Sequence, residues 1–380
     1  GGTAAAMLRQ FSHEGSIVLV GEEPLAPYQR PPLSKAWLKG EAGADDLMLK
    51  GDGFYEEHAI DLRLETVAVA IDRAARTVSL KSGESLPYDI LILATGARPR
   101  KLAIEGAGLA GVLELRSAAD AEALKAALGP GRTLAVIGGG YIGLEVAASA
   151  RALGSDAVVI EREARLLARV ASPPLSDFFH AYHFRHGVRF ELGAGVEALA
   201  GEDGHVTGVK LSDGRTIACD AVLVGVGAQP NQELAQAAGL ACGNGVVVDL
   251  EARTSDPAIF AIGDCTFRPL PLYGVDFRLE SVPNALEQAK QAAAAICGRP
   301  GPTPEVPWFW SDQYDLKLQI AGLAFEPDHR VVRGDVAAGR FAVFHMHKGR
   351  IAAVEAVNAP AEFMGGRQLI GRQAVVDPAR

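Results

Sequence analysis

Cysteine is scarce in this sequence. Among 380 residues there are four, Cys219, Cys242, Cys265 and Cys297, and no two lie closer than 23 positions. That spacing excludes a CxxC or CxxxxC redox pair and any closely spaced zinc motif. Such sparse thiol use fits a reducing compartment, so a cytoplasmic location is expected. Long apolar runs are also missing: runs such as 90–94 and 221–226 are strand-sized and far short of a membrane span. The chain opens Gly-Gly-Thr, without the basic start and apolar stretch of a secretory signal. Positive charge is in deficit, 37 Lys and Arg against 46 Asp and Glu, for a net charge of −9. This argues against wholesale nucleic-acid binding.

What is present is a globular balance, 48% hydrophobic and 22% charged, in a chain long enough for two or three domains. Short β-branched runs alternate with Ala- and Leu-rich helical runs, which predicts an α/β fold of βαβ units on parallel sheets. Strands are expected at 17–20, 91–94, 134–137, 157–160, 221–224 and 259–262, and helices at 119–128, 141–153 and 284–296. Boundaries are expected at the loop-like stretch 102–111, at Ala228-Gln-Pro230 and at the Pro/Gly segment 298–304. Beyond it, 318–323, 330–333, 340–347 and 351–357 suggest an antiparallel meander. His345 and His347 fall on one face of its third strand. Without a third ligand they are expected to be exposed or packing histidines, so no metal site is assigned.

The strongest motif is Leu134-Ala-Val-Ile-Gly138-Gly-Gly140-Tyr141-Ile142-Gly143-Leu-Glu145. It reads as strand, glycine turn and helix. Gly138 permits the tight turn, Gly140 lets the backbone approach a pyrophosphate, and Gly143 lets helix and strand pack closely. The helix N-terminus then offers free N–H groups and its dipole to the phosphates. A lone GxGxxG is weak, but here a second strand follows and ends in Glu161, 18 residues past Gly143, near the spacing of a ribose-binding acid. A carboxylate there accepts from both ribose hydroxyls and repels a 2′-phosphate, which favours NADH over NADPH. Arg162 and Arg165 could instead hold that phosphate, but are expected to be solvated loop residues.

A second nucleotide site is expected at the N-terminus, cut short. Residues 1–9 look like the helix after a glycine turn, and the strand 17–20 ends at Gly21-Glu22-Glu23, where another ribose-binding acid would sit. A first strand and two glycines are expected to precede Gly1. Three further strand ends support the reading: Ala94-Thr95-Gly96, Gly227-Ala-Gln-Pro230 and Gly263-Asp264-Cys265. A carboxylate at such an end can bind the ribityl or phosphate part of a flavin through hydroxyls and water.

In these motifs the chain resembles the glutathione-reductase-like flavoproteins, and within them the ferredoxin reductases that serve bacterial haem monooxygenases and aromatic-ring dioxygenases. The most specific segments are Tyr28-Gln-Arg-Pro-Pro-Leu-Ser-Lys35, the glycine motif, Gly263-Asp-Cys265, Glu280-Ser-Val-Pro-Asn-Ala-Leu-Glu-Gln-Ala289 and Pro307-Trp-Phe-Trp-Ser-Asp-Gln313. The resemblance implies two Rossmann-like domains and a C-terminal α/β domain: an FAD domain split over 1–103 and 229–300, an NAD domain at 104–228, and the third domain at 301–380. It implies flavin contacts at Gly1, Glu22, Lys35, Ala68, Thr95, Gly96, Arg116, Asp264 and Val282. For NAD it implies Gly138, Gly140, Tyr141, Ile142, Gly143, Glu161 and Gly227. The natural protein is expected to be longer at both ends.

Disulfide reductases of that superfamily carry a CxxxxC pair beside the flavin, whereas Arg30-Pro-Pro-Leu-Ser-Lys35 has no cysteine. Electrons are therefore expected to leave FAD directly for an external acceptor, since FAD takes up an electron pair and can release it singly; the resemblance implies that this acceptor is a [2Fe–2S] ferredoxin. A catalytic ion pair between Lys35 and Glu145 is expected beside the flavin ring, because a buried Lys needs a partner. Lys290 is expected to meet an acidic ferredoxin residue, with Trp310 at the docking surface. The protein is expected to be a monomer or weak dimer, binding neither nucleic acid nor membrane. The alternatives are an NADH oxidase or a rubredoxin reductase of the same fold, or a redox-signalling flavoprotein without enzymatic activity.

Overall fold

The computed structural model describes residues 1–325 and 327–377. The chain divides into two compact units. The first gathers Gly1–Gln29, Ala44–Arg98 and Pro230–Phe309; the second gathers Arg30–Gly43, Pro99–Gln229 and Trp310–Arg380.

The second unit is organised on a parallel sheet in the order Val188–Leu192, Asp156–Glu161, Thr133–Ile137, Ala221–Val224, Val112–Leu113. Its three middle strands are near-continuous apolar runs because both faces are covered. Ala135, Ile137, Val158, Ile160, Val222 and Val224 pack with Leu199, Val206, Val209 and Leu211 of an antiparallel sheet formed by Val196–Glu202, His205–Leu211 and Thr216–Ala218. The alternate residues meet the helix Tyr141–Ala152, which buries every position from Gly143 to Ala150.

The segment Arg30–Gly43 packs in this unit. Two prolines in the first turn set φ for the 3-10 helix Pro31–Ser34, and the short helix Ala36–Lys39 ends at Gly40, which has φ +74°. Both lie against the helices Tyr141–Ala152 and Ala118–Ala127.

The C-terminal sheet departs from a simple meander. Its order is Trp308–Gln313, Leu316–Gly322, Arg350–Val357, Arg340–His347, His329–Asp335. The last three strands in sequence form hairpins, but Leu316–Gly322 pairs with Arg350–Val357 rather than with the strand that follows it. Burial explains the choice: Leu316–Gly322 and Arg350–Val357 are largely buried, whereas His329–Asp335 is almost wholly exposed and takes the edge. Helix Pro360–Gly371 covers the buried strands.

In the first unit, Ile17–Val20 pairs in parallel with Ile60–Arg63, and Leu91–Leu93 with Ile259–Ala261. These two ribbons do not pair with each other among the described residues. Helix Gly2–Gln10 starts between them: a Cβ on Gly1 would lie 3.1 Å from Leu19 Cδ1 and 3.6 Å from Ala94 Cβ. The helix packs on Val282–Ile296 through small Ala positions, and Ala4, Ala289 and Ala292 share one core with Phe260 and Ile262. Among the described residues, no helix is long and apolar enough to cross a membrane.

Candidate functional site

The glycine motif of the second unit forms a cradle. Gly138 has φ +110°, and a Cβ there would meet Gly225 O at 2.4 Å. A Cβ on Gly143 would meet Gly138 O at 2.2 Å, so helix and strand touch backbone to backbone. By contrast, a Cβ on Gly140 would meet nothing within 4 Å. The open approach is thus at the helix N-terminus, where N–H groups converge on an anion. Ile142 is 48% exposed in the first turn.

Glu161, half-buried, closes the cradle. Its carboxylate accepts from Gly139 N–H at 2.7 Å and from Glu163 N–H at 2.8 Å. A carboxylate has about four acceptor sites, so two remain for ribose hydroxyls. Arg162 is exposed and pairs with Glu163 at 3.2 Å. Arg165 is not a solvated loop residue as expected. It donates to Ala168 O, Ala171 O and Ser176 Oγ at 2.6–2.8 Å and so knits its own loop together. Gly227 has φ +104°, and the side chains of Arg100 and Arg169 lie about 4 Å from where its Cβ would be. The sequence reading did not single out these two cations, because only the strand-end turn brings them there.

Lys35 and Glu145 form an ion pair, Nζ to Oε2, at 2.6 Å, with side chains 19% and 3% exposed. Ser34 Oγ donates to the same oxygen at 2.5 Å and Ser311 Oγ to Oε1 at 2.6 Å. Ser149 fixes the turn by donating to Ser34 O at 2.7 Å. A carboxylate so deeply buried is tolerated because each of its oxygens has a donor. Ser34 and Ser311 lay inside motifs already quoted from the sequence, but nothing in the sequence paired them with Glu145. Arg116 lies at the start of the helix Ala118–Ala127. Its N–H donates to Asp120 Oδ2 at 3.0 Å and its carbonyl accepts from Arg30 Nη1.

In the first unit the expected flavin residues fall at strand ends and, for Gly1 and Val282, at helix starts. Glu22 is exposed just past Ile17–Val20, and a Cβ on Gly21 would meet nothing within 4 Å. Ala68 opens the strand Ala68–Asp72. Thr95 Oγ1 donates to Asn231 O at 2.6 Å, Asn231 Nδ2 donates to Thr95 O at 2.8 Å, and Asn231 N donates to Gly96 O at 2.9 Å, clamping two loops together. Gly263 donates to Oε1 of the fully buried Gln288 at 2.8 Å, which sets the turn carrying the half-buried Asp264. Val282, 37% exposed, begins the helix Val282–Ile296, capped by Ser281. The space at Gly21 is open beside the exposed Glu22, where a ribose would be bound, while Gly1 starts its helix where a Cβ would press on Leu19. The residues present therefore fit a dinucleotide.

All four cysteines are free. Cys265 is fully buried, and burial pushes its thiol up from the usual range. His345 is buried beside Glu355, 3.3 Å from Nε2 to Oε1, and His347 is half-buried. Among the described residues no group of three potential metal ligands occurs. Lys290 is exposed on its helix and Trp310 is half-buried.

A twin-nucleotide fold with a Lys–Glu pair and no paired thiol defines a pyridine-nucleotide flavoprotein oxidoreductase. Residues 1–289 match the family described as pyridine nucleotide-disulphide oxidoreductase, and residues 308–380 match the reductase C-terminal family. The chain belongs to the pyridine nucleotide-disulphide oxidoreductase family, and it is an oxidoreductase that uses FAD and NADH. It is 55% identical to a probable ferredoxin reductase of Castellaniella defragrans, over 99% of this chain and 92% of the relative. A solved ferredoxin reductase from Rhodopseudomonas palustris superposes with a TM-score of 0.96 at 43% identity, covering 99% of this chain and 93% of that one. The reductase in a covalent putidaredoxin reductase–putidaredoxin complex superposes with a TM-score of 0.97 at 42% identity, covering 100% and 92%.

Proposed function

We infer that this protein takes electron pairs from NADH and passes them singly, through FAD, to a small [2Fe–2S] ferredoxin that supplies a monooxygenase or dioxygenase. The observation that carries the reading is the Lys35–Glu145 pair at 2.6 Å in the segment where disulfide reductases hold their cysteines, in a chain whose four thiols are all unpaired. With no internal dithiol to receive electrons, the acceptor is external. Names of similar proteins, which include a reductase crystallised with putidaredoxin, support a ferredoxin as that acceptor.

Bound FAD supplies the conversion between two-electron and one-electron transfer. The protein's part is to bind and orient. Gly1, Glu22, Lys35, Ala68, Thr95, Gly96, Arg116, Asp264 and Val282 are assigned to FAD. Gly138, Gly140, Tyr141, Ile142, Gly143 and Gly227 are assigned to the NADH pyrophosphate and its surroundings. Glu161 is assigned to the ribose hydroxyls, which selects NADH. Lys35, held by Glu145, places a cation where negative charge develops. Lys290 and Trp310 are assigned to ferredoxin docking. The setting is the cytoplasm and the molecule a monomer or weak dimer.

The test is reduction of a panel of [2Fe–2S] ferredoxins and rubredoxins by NADH. Turnover with at least one ferredoxin well above that with rubredoxin is expected. Rapid NADH consumption with oxygen alone, and none with ferredoxins, would make the protein an oxidase.

A further inference from the structure

Glu145 is the end of a longer chain of hydrogen bonds. Ser311 Oγ, 2.6 Å from Glu145 Oε1, itself receives Gln313 Nε2 at 3.0 Å. Gln313 Oε1 lies 2.7 Å from His183 Nε2. The chain is dry: Glu145 is 3% exposed, Ser311 and Gln313 1% each, and His183 0%. Ser311 and Gln313 stand two residues apart on the strand Trp308–Gln313 and therefore on one face. His183 comes from the helix Pro173–Arg185.

Donor chemistry gives this chain a direction. An amide oxygen only accepts, so the His183 nitrogen facing Gln313 must carry its hydrogen. The amide NH2 is then left for Ser311, and the single Ser311 hydrogen points at Glu145. Every hydrogen runs toward the carboxylate. His183 Nδ1 has no partner in the protein among the described residues. Burial pushes His183 down to about 4, with the hydrogen bond to Gln313 opposing it and His186 and His180 adding slightly. The phenol ring against it is Tyr314, which has Arg151 close by and in turn meets Tyr182, itself bonded to Asp315. His183 is therefore neutral at pH 7, and the direction of the chain requires that its hydrogen sit on Nε2.

We propose that His183, Gln313 and Ser311 are positioning residues for the Lys35–Glu145 pair: an oriented file of donors that holds Glu145 as a charged acceptor and, through it, fixes the Lys35 ammonium. This rests on the assignment of the pair to the flavin. Lys35 has weaker anchors of its own, Pro31 O at 3.2 Å and Ser34 Oγ at 3.3 Å. Without Ser311, Glu145 Oε1 would be buried with no donor, and the carboxylate would turn to find one. The ammonium would move with it.

The experiment uses holoenzyme labelled with 15N-histidine, together with stopped-flow reduction of the bound FAD by NADH. In the native protein His183 should give the Nε2–H tautomer and take no second proton above about pH 5. Gln313→Glu, nearly isosteric, cannot donate to Ser311 when ionised. It should raise the His183 midpoint by more than one pH unit. Ser311→Ala should slow FAD reduction about tenfold, the worth of one hydrogen bond to a charged group, with KM for NADH unchanged. Ser311→Thr, which keeps the hydroxyl, should restore the rate to within about twofold. An Nδ1–H tautomer or a native rate in Ser311→Ala would overturn the proposal. A native rate in Lys35→Ala would instead remove the pair from the flavin, while the histidine spectra would still decide the chain.

Discussion

Two glycines of one motif should fail in opposite ways when each is changed to alanine. At Gly143 the added Cβ would sit 2.2 Å from Gly138 O and 3.0 Å from Val136 Cγ1. A backbone oxygen in a tight turn cannot yield alone, so the helix Tyr141–Ala152 must lift off the strand Thr133–Ile137. Overpacking of that kind costs about 1–3 kcal/mol, or roughly 3–9 °C in Tm for a unit of this size. Because Glu145 rides on the same helix, its grip on Lys35 should loosen too. At Gly140 the Cβ meets nothing within 4 Å, and φ is −83°, which alanine adopts freely. Gly140→Ala should change stability by less than about 0.5 kcal/mol, yet its Cβ would enter the space we assign to the pyrophosphate. A loss of about 1–2 kcal/mol in binding would raise KM for NADH roughly five- to thirtyfold. Thermal melts of both variants and their KM values check the pair. A Gly143→Ala protein that melts like the native one would refute the close-packing argument. A native KM in Gly140→Ala would refute the pyrophosphate assignment.

Glu161→Ala should weaken NADH use and narrow the preference over NADPH, read as the ratio of kcat/KM for the two. It should also loosen the glycine turn, since Gly139 loses its acceptor. Acid should destabilise the protein through His183: its folded value of about 4 lies below the ordinary 6.5, so the unfolded chain binds the extra proton between those pH values. Stability is whole above about pH 6.5 and falls by up to roughly 3 kcal/mol as pH drops toward 4. The difference in Tm between native protein and His183→Gln across that window checks the slope. Cys219, pushed up to about 12 by burial, and the buried Cys265 should resist alkylation at pH 8, with activity retained after iodoacetamide treatment. Lys290→Glu should lower ferredoxin reduction at low salt and leave ferricyanide reduction normal; equal ferredoxin activity would move the docking site elsewhere.

The parts of the fold that follow from local rules were legible in the sequence. The strands expected at 134–137 and 157–160 occur as Thr133–Ile137 and Asp156–Glu161, and the helix expected at 141–153 as Tyr141–Ala152, because glycine spacing and apolar runs fix them locally. The pairing of Leu316–Gly322 with Arg350–Val357 was not legible. Each strand alone reads as a meander member, and only the competition for burial puts His329–Asp335 at the edge. Arg165 was misjudged for a similar reason. Its charge suggested solvent or a phosphate, whereas the nearby carbonyls of Ala168 and Ala171 became its partners once the loop closed.

The Lys35–Glu145 pair shows where sequence reasoning runs out. A lysine after Pro-Pro-Leu-Ser and a glutamate two residues past Gly143 could be matched, since each sits at a fixed place in a motif. The partners that make the pair tolerable could not be matched, because Ser311 is 166 positions from Glu145, and Gln313 is 130 from His183. A serine or glutamine on a strand carries no periodic signature, and its hydroxyl or amide is equally at home on a surface. What distinguishes these residues is that a charged carboxylate with 3% exposure must find a donor for every oxygen. Burial of Glu145 therefore selects Ser311, Ser311 in turn selects a donor in Gln313, and the Gln313 carbonyl selects the protonated nitrogen of His183. The requirement propagates outward from one buried charge, so the residues it recruits belong to the site although no motif contains them all.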